Sequence, residues 1–233
     1  MKSSGPPKCR QPFRERAAPF HGRRGLKKGT RHLVNIATLT LLGQTEDLRD
    51  ALDWAIERRV SVDLIHEVFL QTMLFAGYPR ALHGFETLDT VLTDRQLCVL
   101  PRRDRIPPRS SPGAFYRRRG RELFEEIYRG DTTLVRKRIS RFHPEFMDWI
   151  SEDAYGKVLS RPFLDLKSRE TISSCLLAAL KLPRQLTPHL RGALRAGAKG
   201  RDLCEALLQL ELFIPKRTVK AAMVRLDRAK TTL

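Results

Sequence analysis

Two residues in the second half of the chain are of types that move protons. Glu170 and His189 stand nineteen positions apart within 155–197, YGKVLSRPFLDLKSRETISSCLLAALKLPRQLTPHLRGALRAG. A carboxylate held on an imidazole fixes the ring's tautomer and raises its basicity toward working pH. Such a pair can return a proton to the carbanion that departing CO₂ leaves behind, with no cofactor. The same two residues could equally form a plain hydrogen bond between packed helices, and the residues alone leave both readings open.

The other reactive side chains offer less. Arg169 and Arg191 flank the pair and could hold a substrate carboxylate. Glu67 and Glu205 recur in one sequence context, either as a second acid near the site or as acids favoured by a helix's first turns. His66 and His83 have no Cys or carboxylate at metal spacing, and the four cysteines, Cys9, Cys98, Cys175 and Cys204, form no CxxC and no zinc pattern. No metal site and no cofactor is expected. Cys175 lies five residues after Glu170, which turns it roughly 140° away on a helix at about 100° per residue. It reads as a small core residue, and Cys204 beside Glu205 is a poorer nucleophile still.

Helices must position these groups. The stretch 31–42, RHLVNIATLTLL, is apolar at helical spacing and stops at Gly43. A second helix is predicted over 46–58, and a third from Asp63 to Phe75, broken by Gly77 and Pro79. A fourth covers 80–92. Further helices are expected at 117–129, at 132–142 and after Pro144, where Phe146, Trp149, Ile150 and Tyr155 would pack. No stretch alternates like a strand, so the fold is expected to be all-α, a helical bundle.

The chain also repeats itself. Shifted by 138, residues 31–89 align with 169–227 without a gap. EVFLQTMLF at 67–75 falls on EALLQLELF at 205–213, and Arg31, Leu39, Leu42, Leu48, Leu52, Ala55, Leu88 and Asp89 meet identical residues. The organisation read from this is a disordered basic tail at 1–28, a first helical module at 29–92, a Pro/Arg-rich linker at 93–118 and a second module at 119–233 that begins with extra helices.

The formal charge of +18 is unevenly placed. Residues 1–30 carry nine basic against one acidic, 31–92 five against nine, 93–121 nine against two, and 122–233 twenty-one against fourteen, giving +8, −4, +7 and +7. Most of the excess thus sits in the tail and linker, not on a folded face with stacking aromatics, as a nucleic-acid-binding domain would have it. The tail could still touch a polyanion. No apolar run approaches the ~18–20 residues that span a bilayer, and no apolar stretch follows the basic N-terminus as in a secretory signal. A cytoplasmic protein is expected.

Several of these stretches resemble the carboxymuconolactone decarboxylase family, which also contains the alkylhydroperoxidase D proteins. YGKVLSRPFLDLKSRE, with Gly156, Val158, Arg161, Pro162, Leu164 and Arg169, is similar to the family's opening segment. HLRGALRAG at 189–197 resembles the helix that follows, and EVFLQTMLFAGYPRALHGF at 67–85 its third and fourth helices. The resemblance implies an alkylhydroperoxidase D-like all-α bundle, a tandem two-copy chain similar to two fused subunits, and assembly into a homo-oligomer acting on a small molecule. It also implies acid/base catalysis by Glu170 and His189, which match the family's acid and histidine in position and spacing. The peroxidase branch has a Cys-x-x-Cys before that histidine, where this chain has Leu182 and Gln185, so a dithiol mechanism is lost. In the first copy His32 and Ala51 occupy the two catalytic positions. Three readings follow: a decarboxylase or lactone enzyme, a thiol-dependent peroxidase, or a non-catalytic oligomer with a polyanion-binding arm.

Overall fold

The computed structural model describes residues 11–231. Eleven α-helices account for most of them: α1 Phe13–His21, α2 Lys28–Leu42, α3 Thr45–Glu57, α4 Val62–Asp94, α5 Pro112–Tyr128, α6 Thr132–Ser140, α7 Phe146–Trp149, α8 Leu166–Ala179, α9 Pro183–Arg195, α10 Gly200–Gln209 and α11 Lys216–Thr231. A π-helical segment, Ile150–Leu159, continues α7. There is no strand among the described residues, and the protein is an all-α bundle.

Two helices form its centre. From Arg31 to Leu41 every residue of α2 is buried, and so is every residue of α8 from Ser168 to Ala178. A helix buried on all sides must be covered by neighbours on every face, and here α3, α4, α9, α10 and α11 do so. One hydrophobic core draws Leu33, Ile36, Leu52 and Phe69 from the first half and Ile172, Leu190, Leu207 and Leu226 from the second. Local signals set the ends: Asp165 caps α8 by accepting from the Ser168 N–H at 2.9 Å, and Gly43 closes α2 in the left-handed region at φ 67°. The third and fourth predicted helices run on as α4, kinked at Gly77 (φ 78°, ψ 169°) just before Pro79.

The helix boundaries repeat with the shift already visible in sequence. Adding 138 to α1, α2 and α3 gives 151–159, 166–180 and 183–195, which are the π-helical segment, α8 and α9 almost to the residue. The span of α4 maps onto α10 and α11. Outside this scheme stand α5, α6 and α7. The glycines Gly120 and Gly156 let α5 cross the π-helical segment in backbone contact, since a Cβ on Gly120 would strike the Ser151 carbonyl and one on Gly156 that of Tyr116. Phe124, Ile127, Met147, Tyr155 and Leu159 make a second, smaller core there.

Three expectations need correction. Residues 13–28 are not a disordered tail: α1 packs Phe13, Ala17 and His21 into the core. Its positive charge, which suggested a free arm, is matched by the acidic α3 and by α10: Arg14 pairs with Asp50 and Asp53, Arg16 with Asp47 and Arg23 with Glu205. The remainder of the expected tail, residues 1–10, lies outside the described residues. The expected linker is helical from Pro112, and its irregular part is tied down by Arg102 on Asp63 and Arg119 on Asp104. Phe146 and Trp149, read as packing residues, are 42% and 54% exposed.

Candidate functional site

The Asp165 cap starts α8 so that Glu170 falls in its second turn, facing α9, and Pro183 starts α9 so that His189 falls in its second turn, facing back. The His189 Nδ1 lies 3.0 Å from Glu170 Oε2. The Glu170 side chain is fully buried, while 12% of the His189 side chain reaches the surface. Gly192 makes the approach possible, because a Cβ at that position would sit 2.5 Å from Glu170 Oε2 and 3.1 Å from Ile127.

The electrostatics follow from this contact. Burial by itself would lower the His189 pKa, but the Glu170 charge and hydrogen bond outweigh it and hold the imidazole above its ordinary value. With Nδ1–H donated to Glu170, Nε2 is left to take up or release a proton, and it has no hydrogen-bond partner among the described residues. Glu170 Oε1 is buried and also without one. The nearby Tyr155 hydroxyl donates to that of Tyr128 at 3.2 Å. Both phenols are held above their ordinary pKa, by burial first and further by the Glu170 charge. Phe75 turns its ring edge-on to His189, with centroids 6.5 Å apart.

The two arginines expected at the site separate. Arg191 is half-buried on α9, two residues from His189. Arg169 is fully buried and committed: its Nη2 donates to Glu67 at 2.7 Å and to the Arg161 carbonyl, its Nη1 to Gln71, and its Nε to the Leu164 carbonyl. Four of its five N–H groups are thus engaged inside the core, and it is a core ion pair. Glu67 is its partner, not a second acid, and Arg161 completes the cluster on Glu67 at 2.8 Å.

The same cluster recurs with the halves exchanged. Arg31 donates to Glu205 at 2.9 Å and to Gln209, Arg23 donates to Glu205 at 2.8 Å, and the Gln209 amide returns a bond to the Arg31 carbonyl, as Gln71 does to that of Arg169. Gln209 also bonds Asn35, as Gln71 bonds Ser173. Each pair of equivalents, Arg31 and Arg169, Arg23 and Arg161, Glu67 and Glu205, Gln71 and Gln209, Asn35 and Ser173, is separated by 138. In each cluster the arginines come from one half and the glutamate and glutamine from the other.

Among the described residues no thiol contacts the Glu170–His189 pair. Cys175 is buried and burial pushes it up to about 12, so no thiolate forms near neutral pH. Cys98 is exposed beyond α4, and Cys204 is half-buried. Leu182 and Gln185, at the resembling cysteine positions, are exposed at the start of α9. His83 bonds Thr45 at the surface, and His66 is half-buried, with burial holding its pKa below the ordinary value. Among the described residues no group of three His, Cys, Asp or Glu could hold a metal ion, and no helix is long and apolar enough to cross a membrane.

Sequence reasoning missed His21, His32 and Trp54, which gather beside α1. The repeat did place His32 at the acid position, but His21 lay in the stretch read as disordered.

Fold and site together define an all-α bundle carrying a buried carboxylate–imidazole pair. The chain is similar to the 4-carboxymuconolactone decarboxylase of Acinetobacter baylyi, with 32% identity over 85 residues, which make up 36% of this chain and 63% of that protein. The chain thus covers less than two thirds of that relative's length. No family model matches the sequence.

Proposed function

We propose that the chain is a carboxymuconolactone decarboxylase-like protein, built from two copies of one helical module, in which Glu170 and His189 perform cofactor-free proton transfer on a small carboxylated substrate. The observation that carries this reading is the 3.0 Å contact between His189 Nδ1 and a fully buried Glu170. In a decarboxylation the C–CO₂ bond breaks and its electron pair stays on carbon. A protonated His189 delivers its Nε2 proton to that carbon, and Glu170 stabilises the imidazolium that exists before the transfer. In a lactone reaction the same Nε2 abstracts or returns the proton. Arg191 is the cation closest in sequence to His189 for holding the substrate's carboxylate, the role that Arg169 is too deeply paired to fill.

The reciprocal Arg–Glu–Gln clusters support the two-copy reading. Chance similarity of amphipathic helices matches apolar residues, but it does not reproduce five polar partners at one constant shift across a shared core. Two copies packed in this way resemble two fused subunits, and we extend the reading to assembly of such chains into a homo-oligomer.

The test is turnover of 4-carboxymuconolactone, the compound in the relative's name, followed as CO₂ release. His189→Gln should lower it by about 10²–10⁴-fold, the range of a lost general acid, with Glu170→Gln intermediate. Full activity in a folded His189→Ala variant would sink the assignment.

A further inference from the structure

The same shift that relates the Arg–Glu–Gln clusters places His32 on Glu170, Trp54 on Gly192 and His21 on Leu159. In the second half the groove at this position is filled. Ile127 of α5 stands over Gly192, and Arg195 Nη1 holds the Ile127 and Tyr128 carbonyls at 3.0 and 3.2 Å. Only about 10 Å³ remains between Ile127, Leu166, Gly192 and Ala196. Among the described residues no helix takes the place of α5 over the first half, and the groove they form is an open cavity of about 600 Å³ between α1, α2 and α3. That is the size of a small-molecule site.

The lining has a definite chemistry. Its floor is aromatic: the rings of His21, His32 and Trp54 pack with centroids 4.2 to 4.7 Å apart. Val60 and Leu64 add apolar surface, and the cations are Lys28, Arg58 and Arg59, with no Asp or Glu in the lining. None of these three cations has an ion-pair partner among the described residues, whereas the nearby Arg14, Arg16, Arg23 and Arg31 are each matched by a carboxylate.

The two histidines are neutral hydrogen-bonding groups. The His21 Nε2 accepts from Asn35 Nδ2 at 3.1 Å, which puts its proton on Nδ1. His32 is 3% exposed, yet neither of its ring nitrogens has a hydrogen-bond partner among the described residues. The ring lines the cavity, where a ligand atom can reach it.

We infer that this groove binds a small organic carboxylate with a flat apolar body, its carboxylate among Lys28, Arg58 and Arg59 and its body against Trp54 and His32. The site is separate from Glu170 and His189 and does not depend on their activity. A phosphate monoester carrying the same body would meet the same cations, so the test must tell the two anions apart.

The chain has two tryptophans, and Trp149 is exposed on α7, so a full-length Trp149→Phe variant leaves Trp54 as the sole fluorescent indole. Its emission is titrated with benzoate, phenyl phosphate and benzyl alcohol. A saturable change is expected with benzoate, about tenfold weaker binding after Arg58→Gln, no saturation with benzyl alcohol, and no effect of His189→Ala on any of these. His32→Gln should also weaken benzoate, but His32 is buried and that variant could fail to fold. Arg58 is exposed and keeps the test decisive. The inference is overturned by the absence of a saturable response to benzoate at millimolar concentration, by equal affinity in the Arg58→Gln protein, or by benzyl alcohol binding as tightly as benzoate. Phenyl phosphate binding tenfold more tightly than benzoate would overturn the carboxylate assignment. Loss of turnover in His189→Ala with benzoate binding intact would separate this site from the proposed catalytic one.

Discussion

The guanidinium of Arg169 and the carboxylate of Glu67 meet at 2.7 Å with 1% and 3% of their side chains exposed, joining α8 to α4 across the middle of the bundle. Burial alone would press the guanidinium toward its neutral form, and Glu67 counters it. With Gln71 and Arg161 closing the cluster, the pair is satisfied on both sides. Removing Arg169 breaks the most deeply buried ion pair of the cluster and leaves Glu67 to Arg161.

Arg169→Ala is therefore expected to destabilise the protein by up to roughly 3–5 kcal/mol, the range for breaking a buried pair, with Arg161 left on Glu67. Arg31→Ala should be milder, because the Glu205 side chain is 12% exposed where that of Glu67 is 3%. Urea unfolding curves measure both. An Arg169→Ala protein of unchanged stability but weakened substrate binding would return this residue to the role the sequence suggested.

For His189 the folded pKa is raised, so its partnership with Glu170 stabilises the fold fully below the unfolded pKa of about 6.5 and is lost as pH rises through the folded value. Glu170→Gln should bring the His189 pKa down, as read from its imidazole resonances in an NMR titration. The same variant should erase this component of the pH dependence of stability. An unmoved titration would mean that the two side chains are not in contact in solution.

His21 and His32 behave in the opposite sense. Burial, joined by the charges of His32 and Arg31 on the first and of Arg58 on both, lowers them to about 3 and about 4. The unfolded chain binds protons that the folded chain refuses. Stability is then complete above about 6.5 and falls as pH drops toward 4, by an amount on the order of a few kcal/mol. Denaturation midpoints at pH 7, 5.5 and 4.5 should decline accordingly, and His32→Gln should flatten the slope. A flat profile in the unaltered protein would mean that the two rings are open to water.

Gly192→Ala tests the closeness of α9 to α8 and α5. A methyl group 2.5 Å from Glu170 Oε2 and 3.1 Å from Ile127 forces a shift, with an expected cost of about 1–3 kcal/mol for overpacking and a loss of proposed activity through a displaced carboxylate. Thermal melts and turnover report the two effects. Retention of both would show that the helices separate easily.

Thiol labelling of the native protein should find Cys98 reactive and Cys175 silent until the chain unfolds, because Cys98 is exposed while burial encloses Cys175 and keeps its thiol protonated. Rapid native labelling of Cys175 would reopen the thiol-dependent reading.

Much of the architecture was determined by local sequence. Apolar spacing around Leu33, Ile36 and Leu41, the stop at Gly43 and the break at Gly77 specify helix type and ends, because they act over one or two turns. The nineteen-residue interval between Glu170 and His189 likewise needs only two helices and a short turn to bring the groups together. Charge was harder to read. Arg14, Arg16 and Arg23 look like a free basic arm when taken along the chain, and only the packing of α1 against α3, and of the turn after it against α10, makes them partners for Asp47, Asp50, Asp53 and Glu205. For the same reason Arg169 passes for a substrate ligand until Glu67, 102 positions away, is folded onto it. Sequence alone determined which residues carry charge and where helices begin and end. The tertiary structure decided which charges are already satisfied inside the fold, because a pairing across a hundred residues depends on how helices cross, and no local pattern encodes that.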